Sequence, residues 1–158
     1  MQKADIDSEL KECAFEYFYW FSRFEFALKE NKYLKDKRAG AGAKSNWEEF
    51  RLKHQGNYVA SNEARRLVDL HPKKQIVAEN GGLEWRPVGF DHCDLESDLC
   101  RVITALQTVR NNLFHGGKHG DVDVDSKDRN VNLLTCSKIV LDQLAEMAGF
   151  LGDYTRHY

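Results

Sequence analysis

An aromatic-rich segment without glycine or proline constrains the fold of this sequence most strongly. Possible caps at Asp5, Asp7 and Ser8 predict that it forms one long helix from about Asp7 to Lys35. Aromatic side chains cover one side of this helix at Phe15, Phe18, Tyr19 and Phe26, and others spread around the rest at Tyr17, Trp20, Phe21 and Phe24. One neighbouring helix cannot bury so broad a surface. We therefore expect burial on two faces, by the core and by a second subunit.

Apolar residues recur at three- and four-residue spacing in two later segments, which predicts two core-facing helices. The first helix runs from about Asp94 to Leu113, and the second from about Asp128 to Leu151. The inner face of the second helix, from Leu133 to Leu151, is predicted to face the core. Shorter helices are expected from Ser45 to Lys53, with Trp47, Phe50 and Leu52 apolar, and from Ser61 to about Leu70. The predicted fold class is an all-α bundle of four to five helices.

Two connecting segments are ambiguous in sequence. Residues 35–45, KDKRAGAGAKS, are predicted to form an exposed loop, and we favour a solvated connector over an RNA contact. Residues 72–93 precede the helix that carries the motif described below. There, Gln75 to Trp85 are compatible with a small hairpin across Asn80 and Gly81 or with an ordered loop, and we favour the loop.

Composition narrows the class of protein. A chain of 158 residues, 42% hydrophobic and 30% charged, predicts a single globular domain over residues 1–158. A formal charge of −2 argues against coating nucleic acid by bulk electrostatics, so any RNA contact requires a local patch. The apolar run from Phe15 to Phe26 is interrupted by charges and too short to span a bilayer, so we expect no membrane role.

The cysteines and the N-terminal residues bear on the compartment. Cys13, Cys93, Cys100 and Cys136 form no C-x-x-C pair, and no positively charged leader precedes an apolar core. We interpret the cysteines as reduced thiols and predict a cytoplasmic protein.

The run RNNLFHGGKH, residues 110–119, combines residue types suited to phosphate chemistry. Arg110 follows Leu106 by four residues, so its side chain projects from the flank of the apolar stripe. A guanidinium at that position needs an anionic partner or an interface. For cleavage at an RNA 2′-hydroxyl, His115 would be the base, Arg110 would stabilise the phosphorane, and Asn111 would orient the phosphate or the imidazole. The alternative is a C-terminal helix cap by two cations.

The segment VRNNLFHGGKH also resembles the signature of HEPN domains, in which an arginine, often followed by a polar residue, precedes a histidine by four to six positions. Here these residues are Arg110, Asn111 and His115, and about ten residues carry the specific resemblance. The aromatic first helix containing RFEFALK, two shorter helices and a long final helix agree with the family in general form.

This resemblance implies a HEPN-like helical bundle that dimerises so that two motifs meet at a cleft. Many family members are metal-independent ribonucleases of toxin, abortive-infection or antiphage systems. The expected partners are therefore RNA, a second copy of the chain, and a cognate antitoxin or defence partner, with no metal and no cofactor. In one toxin branch a tyrosine two residues after the histidine is modified, but this chain has Gly117 there, which argues against that regulation. The alternative is a non-catalytic nucleotide-binding or dimeric interaction module.

Three accessory residues are weaker candidates. His119 is a candidate acid for the leaving group, and Lys118 is a candidate for guiding the RNA backbone. Glu25 is a candidate for holding Arg110 in position across the core, although a simple helix-stabilising carboxylate is an equal alternative.

Two groups of residues resemble metal sites, but each lacks part of the ligand set. Asp121, Asp123 and Asp125 match the opening of a calcium loop, but Ser126 and Asn132 replace the glycine and glutamate that such a loop requires. The cation-binding alternative therefore remains a third hypothesis. His92, Cys93 and Cys100 lack a fourth zinc ligand at usable spacing, so we expect buried thiols there.

Overall fold

The computed structural model describes residues 8–94, 97–115 and 126–156, with residues 114 and 115 described by their backbone alone. In these ranges the chain forms helices and one hairpin in the order α1 (Ser8–Glu30), α2 (Trp47–His54), α3 (Asn62–Asp69), β1 (Lys73–Val77), β2 (Leu83–Pro87), α4 (Asp98–His115), α5 (Lys127–Met147) and α6 (Leu151–Thr155). The prediction of a mainly helical fold is confirmed, and a small two-stranded sheet lies in the segment before α4.

Helix α1 is packed on several sides, chiefly against α5 and α6 and also against α4. Tyr17, Phe21 and Phe24 are buried, whereas Phe15 and Phe18 are 65% and 42% exposed. The helix ends at Glu30, five residues before the predicted end, because Lys32 adopts a left-handed φ of 67° and the Tyr33 amide donates back to the Leu28 carbonyl at 2.9 Å. An aromatic helix with a buried side and an exposed side is therefore present.

Two polar contacts join α1 to its neighbours. The buried Tyr17 hydroxyl donates to the Leu106 carbonyl of α4 at 2.7 Å, and burial raises the pKa of Tyr17 well above its usual range, so it stays a neutral donor. Arg23 donates from Nε to the Tyr154 carbonyl at 3.1 Å and from Nη2 to the Asp153 carbonyl. These bonds fix α4 and the last helix relative to α1.

The favoured loop over residues 72–93 is wrong for its central part. Strands β1 and β2 pair antiparallel, with Lys73 opposite Pro87 and Val77 opposite Leu83. The turn closes by a 2.8 Å bond from the Ala78 amide to the Gly82 carbonyl, and Gly81 has a φ of 78°, which suits glycine. Val77 and Leu83 are exposed, so the strands lack the alternating burial that marks a strand in sequence.

The two periodic helices are confirmed, with shifted bounds. Helix α4 begins at Asp98 instead of about Asp94, and its predicted stripe from Leu99 to Val109 is buried. Helix α5 ends at Met147 because the chain turns at Gly149, where φ is 73°, before α6 begins. Leu151 was expected on the inner face of the last long helix but is 45% exposed, and Leu52, counted among the apolar residues of α2, is 56% exposed.

The prediction of four reduced thiols is corrected at two positions. A disulfide joins Cys93, in the segment before α4, to Cys100 in the first turn of α4, whereas Cys13 and Cys136 are free. The bonded cysteines are seven positions apart in sequence, a spacing without a recognisable motif. Across the described ranges, no helix is both long and apolar enough to cross a membrane.

The turn at Gly149 gives a stability prediction. A Cβ at Gly149 or Gly152 would meet no atom within 4 Å, so steric contact affects neither substitution, and only Gly149 has a positive φ. Gly149→Ala should lower the free energy of unfolding by about 1–2 kcal/mol. The matched Gly152→Ala, within α6, should leave it unchanged or raise it by about 0.5 kcal/mol. Urea denaturation measures both; equal effects would contradict the role of backbone strain.

Candidate functional site

A cavity of about 500 Å³ lies between α1, the 35–45 loop, the start of α2 and the second half of α4. Its walls are formed by Phe21, Glu25, Lys29, Lys35, Ala43, Lys44, Ser45, Trp47, Gln107, Arg110 and Asn111. Two of the three predicted catalytic residues, Arg110 and Asn111, and the accessory residue Glu25 thus share one cavity.

The cavity walls carry an excess of positive charge. Lys29, Lys35, Lys44 and Arg110 contribute four cationic side chains, and Glu25 contributes the one carboxylate among the lining residues. The whole chain has a formal charge of −2, so this concentration is local. A cleft lined by one sign of charge attracts ligands of the opposite sign. The cavity is therefore suited to an anionic group. It is a local positive patch of the kind that any RNA contact of this chain would need.

Arg110 lies where the helical spacing predicted, at the flank of the apolar stripe of α4. The side chain is half-buried, and its guanidinium carbon lies 5.8 Å from the centroid of the Phe21 ring. Contact with the ring face favours the cation and limits its rotamers. Nη1 donates to Oδ1 of Asn111 at 3.1 Å, so the two residues act as one polar unit at the cavity wall.

The two neighbouring asparagines of the motif have different roles. Asn111 is exposed and lines the cavity. Asn112 points to the other side of α4, where its Nδ2 donates to the Lys73 carbonyl at 2.8 Å and anchors β1 to the helix. The structure thus assigns Asn112 to the fold and leaves Asn111 at the candidate site.

Glu25 is a structural acceptor as well as a cavity residue. Its Oε1 accepts hydrogen bonds from Ser45 Oγ at 2.8 Å and from Trp47 Nε1 at 3.1 Å. The carboxylate therefore holds the end of the 35–45 loop and the start of α2 against α1. Glu25 and Arg110 line the same cavity. The role of Glu25 in positioning Arg110 stays a prediction.

His115 is the last residue of α4. Five residues of helix separate it from Arg110, a rise of about 7.5 Å. Its side chain lies outside what the structure describes, as do the accessory residues Lys118 and His119 and the aspartates of the calcium alternative, Asp121, Asp123 and Asp125.

Sequence reasoning missed Lys29, Lys35, Lys44, Trp47 and Gln107 as cavity residues. The basic composition of the 35–45 loop was a signal, but the loop was interpreted as a solvated connector. The structure closes this loop with a bridge between Leu34 and Ser45 and a 3.0 Å bond from the Lys35 amide to the Lys44 carbonyl. That closure places both lysines on the wall opposite α4, which sequence spacing does not reveal.

A second polar cluster lies at the other end of α4. Within the described ranges, His92, Cys93 and Cys100 are the one group of three possible metal-ligating side chains whose ligand atoms lie within 4.8 Å of one another. A separate cavity of about 310 Å³ adjoins His92 and Cys100. It shares Lys35, Trp47 and Gln107 with the cationic cavity, so the two cavities are neighbours.

Comparison of the chain with family models, with curated proteins and with solved structures finds no match.

The role of Glu25 is testable by stability. Glu25→Ala should lower the free energy of unfolding by about 1–3 kcal/mol, because the buried Trp47 indole N–H and the Ser45 hydroxyl lose their acceptor. Glu25→Gln keeps an acceptor oxygen and should cost less. Chemical denaturation of the two variants beside wild type measures the difference. If Glu25→Ala is as stable as wild type, the carboxylate is not holding the loop.

Proposed function

We propose that the protein is a metal-independent endoribonuclease of the HEPN type, with His115 as general base and with Arg110 and Asn111 as phosphate ligands. The observation that carries the proposal is the cationic cavity, in which Arg110 and Asn111 share a wall one and a half turns before His115. The lysines of the cavity come from segments outside the HEPN-like motif, so the positive charge around Arg110 is an observation separate from the motif.

The reaction assigned to these residues is an internal displacement at phosphorus. His115 removes the proton of a 2′-hydroxyl, and the resulting oxygen attacks the adjacent phosphorus. The bond from phosphorus to the 5′-oxygen breaks, which leaves a 2′,3′-cyclic phosphate on one product and a 5′-hydroxyl on the other. Arg110 and Asn111 stabilise the charge on the phosphorane, and His119 is the candidate donor of the proton to the leaving oxygen.

The other cavity cations explain how RNA would be held. Lys35 and Lys44 are exposed on the 35–45 loop and face α4 across the cavity. In the proposed complex these two lysines would neutralise phosphates next to the one that reacts. Trp47, although it lines the cavity, is 7% exposed and stacked on Phe21 and Phe24, so it belongs to the floor of the cavity.

The proposed active form is a homodimer through the exposed aromatic face of α1, defined by Phe15, Phe18 and Tyr19. Phe18 precedes Glu25 by seven residues and therefore lies on the same side of α1, so the aromatic face continues from the cavity wall. Exposed aromatic side chains of this size are typical of interfaces. Pairing there would bring two cavities close together, in agreement with the dimeric cleft that the resemblance implies.

The second candidate function is RNA or nucleotide binding without cleavage. The cavity favours it directly, because its four cations and the amide of Asn111 account for phosphate binding without any proton transfer. In both cases the biological setting that we propose, a toxin or antiphage factor with a cognate partner in the cytoplasm, derives from the HEPN resemblance alone.

Cleavage is tested by incubating the purified protein with mixed cellular RNA in EDTA. Wild type should cut, and His115→Ala should be slower by about 100- to 10,000-fold because the general base is lost. Arg110→Ala should be slower by at least about 100-fold because a charge facing the phosphorane is lost. End-group analysis should find cyclic phosphates.

Arg101→Ala is the matched control for this assay. Arg101 also lies on α4, but it pairs with Asp98 at 3.6 Å, outside the residues that line the cationic cavity. Its loss should leave cleavage unchanged. RNA that stays intact with wild type but binds it less well after Arg110→Ala would support the binding module. Equal cleavage by all variants would remove Arg110 and His115 from the site.

The dimer is tested by light scattering after gel filtration. Wild type should have about twice the 18.3 kDa mass of one chain. Phe15→Glu/Phe18→Glu should shift the mass to that of one chain, because two carboxylates would be buried without partners at the interface. Val59→Glu, at a site that is 82% exposed, is the control and should leave the mass unchanged. A wild-type mass of 18.3 kDa would contradict the shared cleft.

A further inference from the structure

The cluster of His92, Cys93 and Cys100 at the start of α4 has ligands and geometry suited to zinc. Nε2 of His92 lies 3.6 Å from the Cys93 sulfur. Zinc binds cysteine sulfur at about 2.3 Å and histidine nitrogen at about 2.0–2.1 Å, so a tetrahedral site separates these two ligand atoms by about 3.5 Å. The imidazole and the Cys93 sulfur therefore already have the separation that a shared metal ion requires.

The surroundings of the cluster leave one side open. His92 is exposed and Cys100 is buried, so the ligand atoms lie at the boundary between solvent and the end of the core. The cavity of about 310 Å³ that adjoins them has room for a water molecule in a fourth coordination position. Nε2 of His92 is also 3.0 Å from the Thr104 hydroxyl, and a bond to zinc would replace this hydrogen bond.

Three charged side chains line the cavity beside this cluster, and together they carry a net positive charge. Glu48 and Arg51 line the same cavity and form an ion pair with each other at 2.5 Å. Lys35 contributes the remaining positive charge. Two thiolates would balance the charge of a divalent ion, so the site would be neutral when filled.

The geometry points to a redox-controlled zinc site: the Cys93–Cys100 disulfide and a Zn²⁺ ion bound by His92, Cys93 and Cys100 are alternative states of the same three residues. The inference is independent of the proposed ribonuclease activity. The cluster lies at the first turn of α4, and His115 lies about 22 Å away at the last residue of that helix.

Exchange between the two states requires a reductant of the dithiol class. The dithiol gives up two electrons and two protons and closes to its own disulfide. The Cys93–Cys100 S–S bond breaks and two thiols form. Zn²⁺ then displaces the two thiol protons to the buffer as two Zn–S bonds and one Zn–N bond form.

The experiment uses the full chain with the two other cysteines removed, Cys13→Ser/Cys136→Ala, so that Cys93 and Cys100 are the remaining thiols. The protein is reduced with dithiothreitol, freed of reductant without oxygen, and titrated with Zn²⁺ or Co²⁺. The reduced parent should bind one equivalent and show the thiolate-to-cobalt charge-transfer band of a tetrahedral site. The disulfide form should bind none. Zinc should protect both thiols from alkylation.

Single substitutions then identify the ligands. His92→Ala changes an exposed side chain, so folding is retained, and it should weaken zinc binding by more than about tenfold, since even a lost outer partner costs 10- to 100-fold. His71→Asn, at an exposed histidine outside the cluster, is the matched control and should bind as the parent does. Cys100→Ser, with folding checked by circular dichroism, should abolish the charge-transfer band.

Three results would overturn the inference. One is equal metal binding by the reduced and disulfide forms. Another is a cobalt complex without thiolate bands. The third is a His92→Ala protein that binds zinc as tightly as the His71→Asn control. Because these readouts are metal content and absorption, loss of the zinc site and loss of ribonuclease activity are separate outcomes.

Discussion

The fold depends on burying one aromatic helix on several sides at once. Helix α1 presents Tyr17, Phe21 and Phe24 to the core, and each of these rings meets a different combination of α2, α4 and α6. The buried hydroxyl of Tyr17 must find an acceptor, and the Leu106 carbonyl of α4 is that acceptor. This bond fixes the register of α4 against α1, and the register in turn places Arg110 over the Phe21 ring.

The candidate site is a consequence of that register. Arg110 and Glu25 are far apart in sequence, yet they line one cavity because α4 and α1 are packed side by side. Glu25 then ties Ser45 and Trp47 to α1, and this contact holds the 35–45 loop close enough for Lys35 and Lys44 to face α4. A single carboxylate thus helps to determine where Ser45, Trp47 and the two loop lysines lie, although its charge opposes an anionic ligand.

Sequence patterns predicted the parts of the fold that are repetitive and buried. The stripe from Leu99 to Val109 and the inner face of α5 have helical spacing because they face one continuous core. The hairpin was the less favoured of two interpretations because every residue of its strands is at least partly exposed, so burial does not alternate along them. Leu151 was placed in the core because the pattern continued, but the backbone reverses at Gly149.

The same limit applies to the candidate site. Helical spacing placed Arg110 at the flank of its stripe correctly, since that position depends on one helix alone. The lysines opposite it depend on loop closure, and the pairing of Cys93 with Cys100 depends on how the segment before α4 folds back; neither is a periodic property. Long-range contacts of this kind must be read from the tertiary structure.

The cavity and His115 have different parts in the proposed chemistry. The cavity supplies positive charge and an amide, which stabilise a phosphate in the ground state and a phosphorane in the transition state. Its carboxylate accepts hydrogen bonds from Ser45 and Trp47 and so serves to hold the loop. In the proposed function, proton transfer is assigned to His115. Binding should consequently depend on Arg110 and the lysines, whereas cleavage should depend on His115 as well, and this difference separates an enzyme from a binding module built on the same cavity.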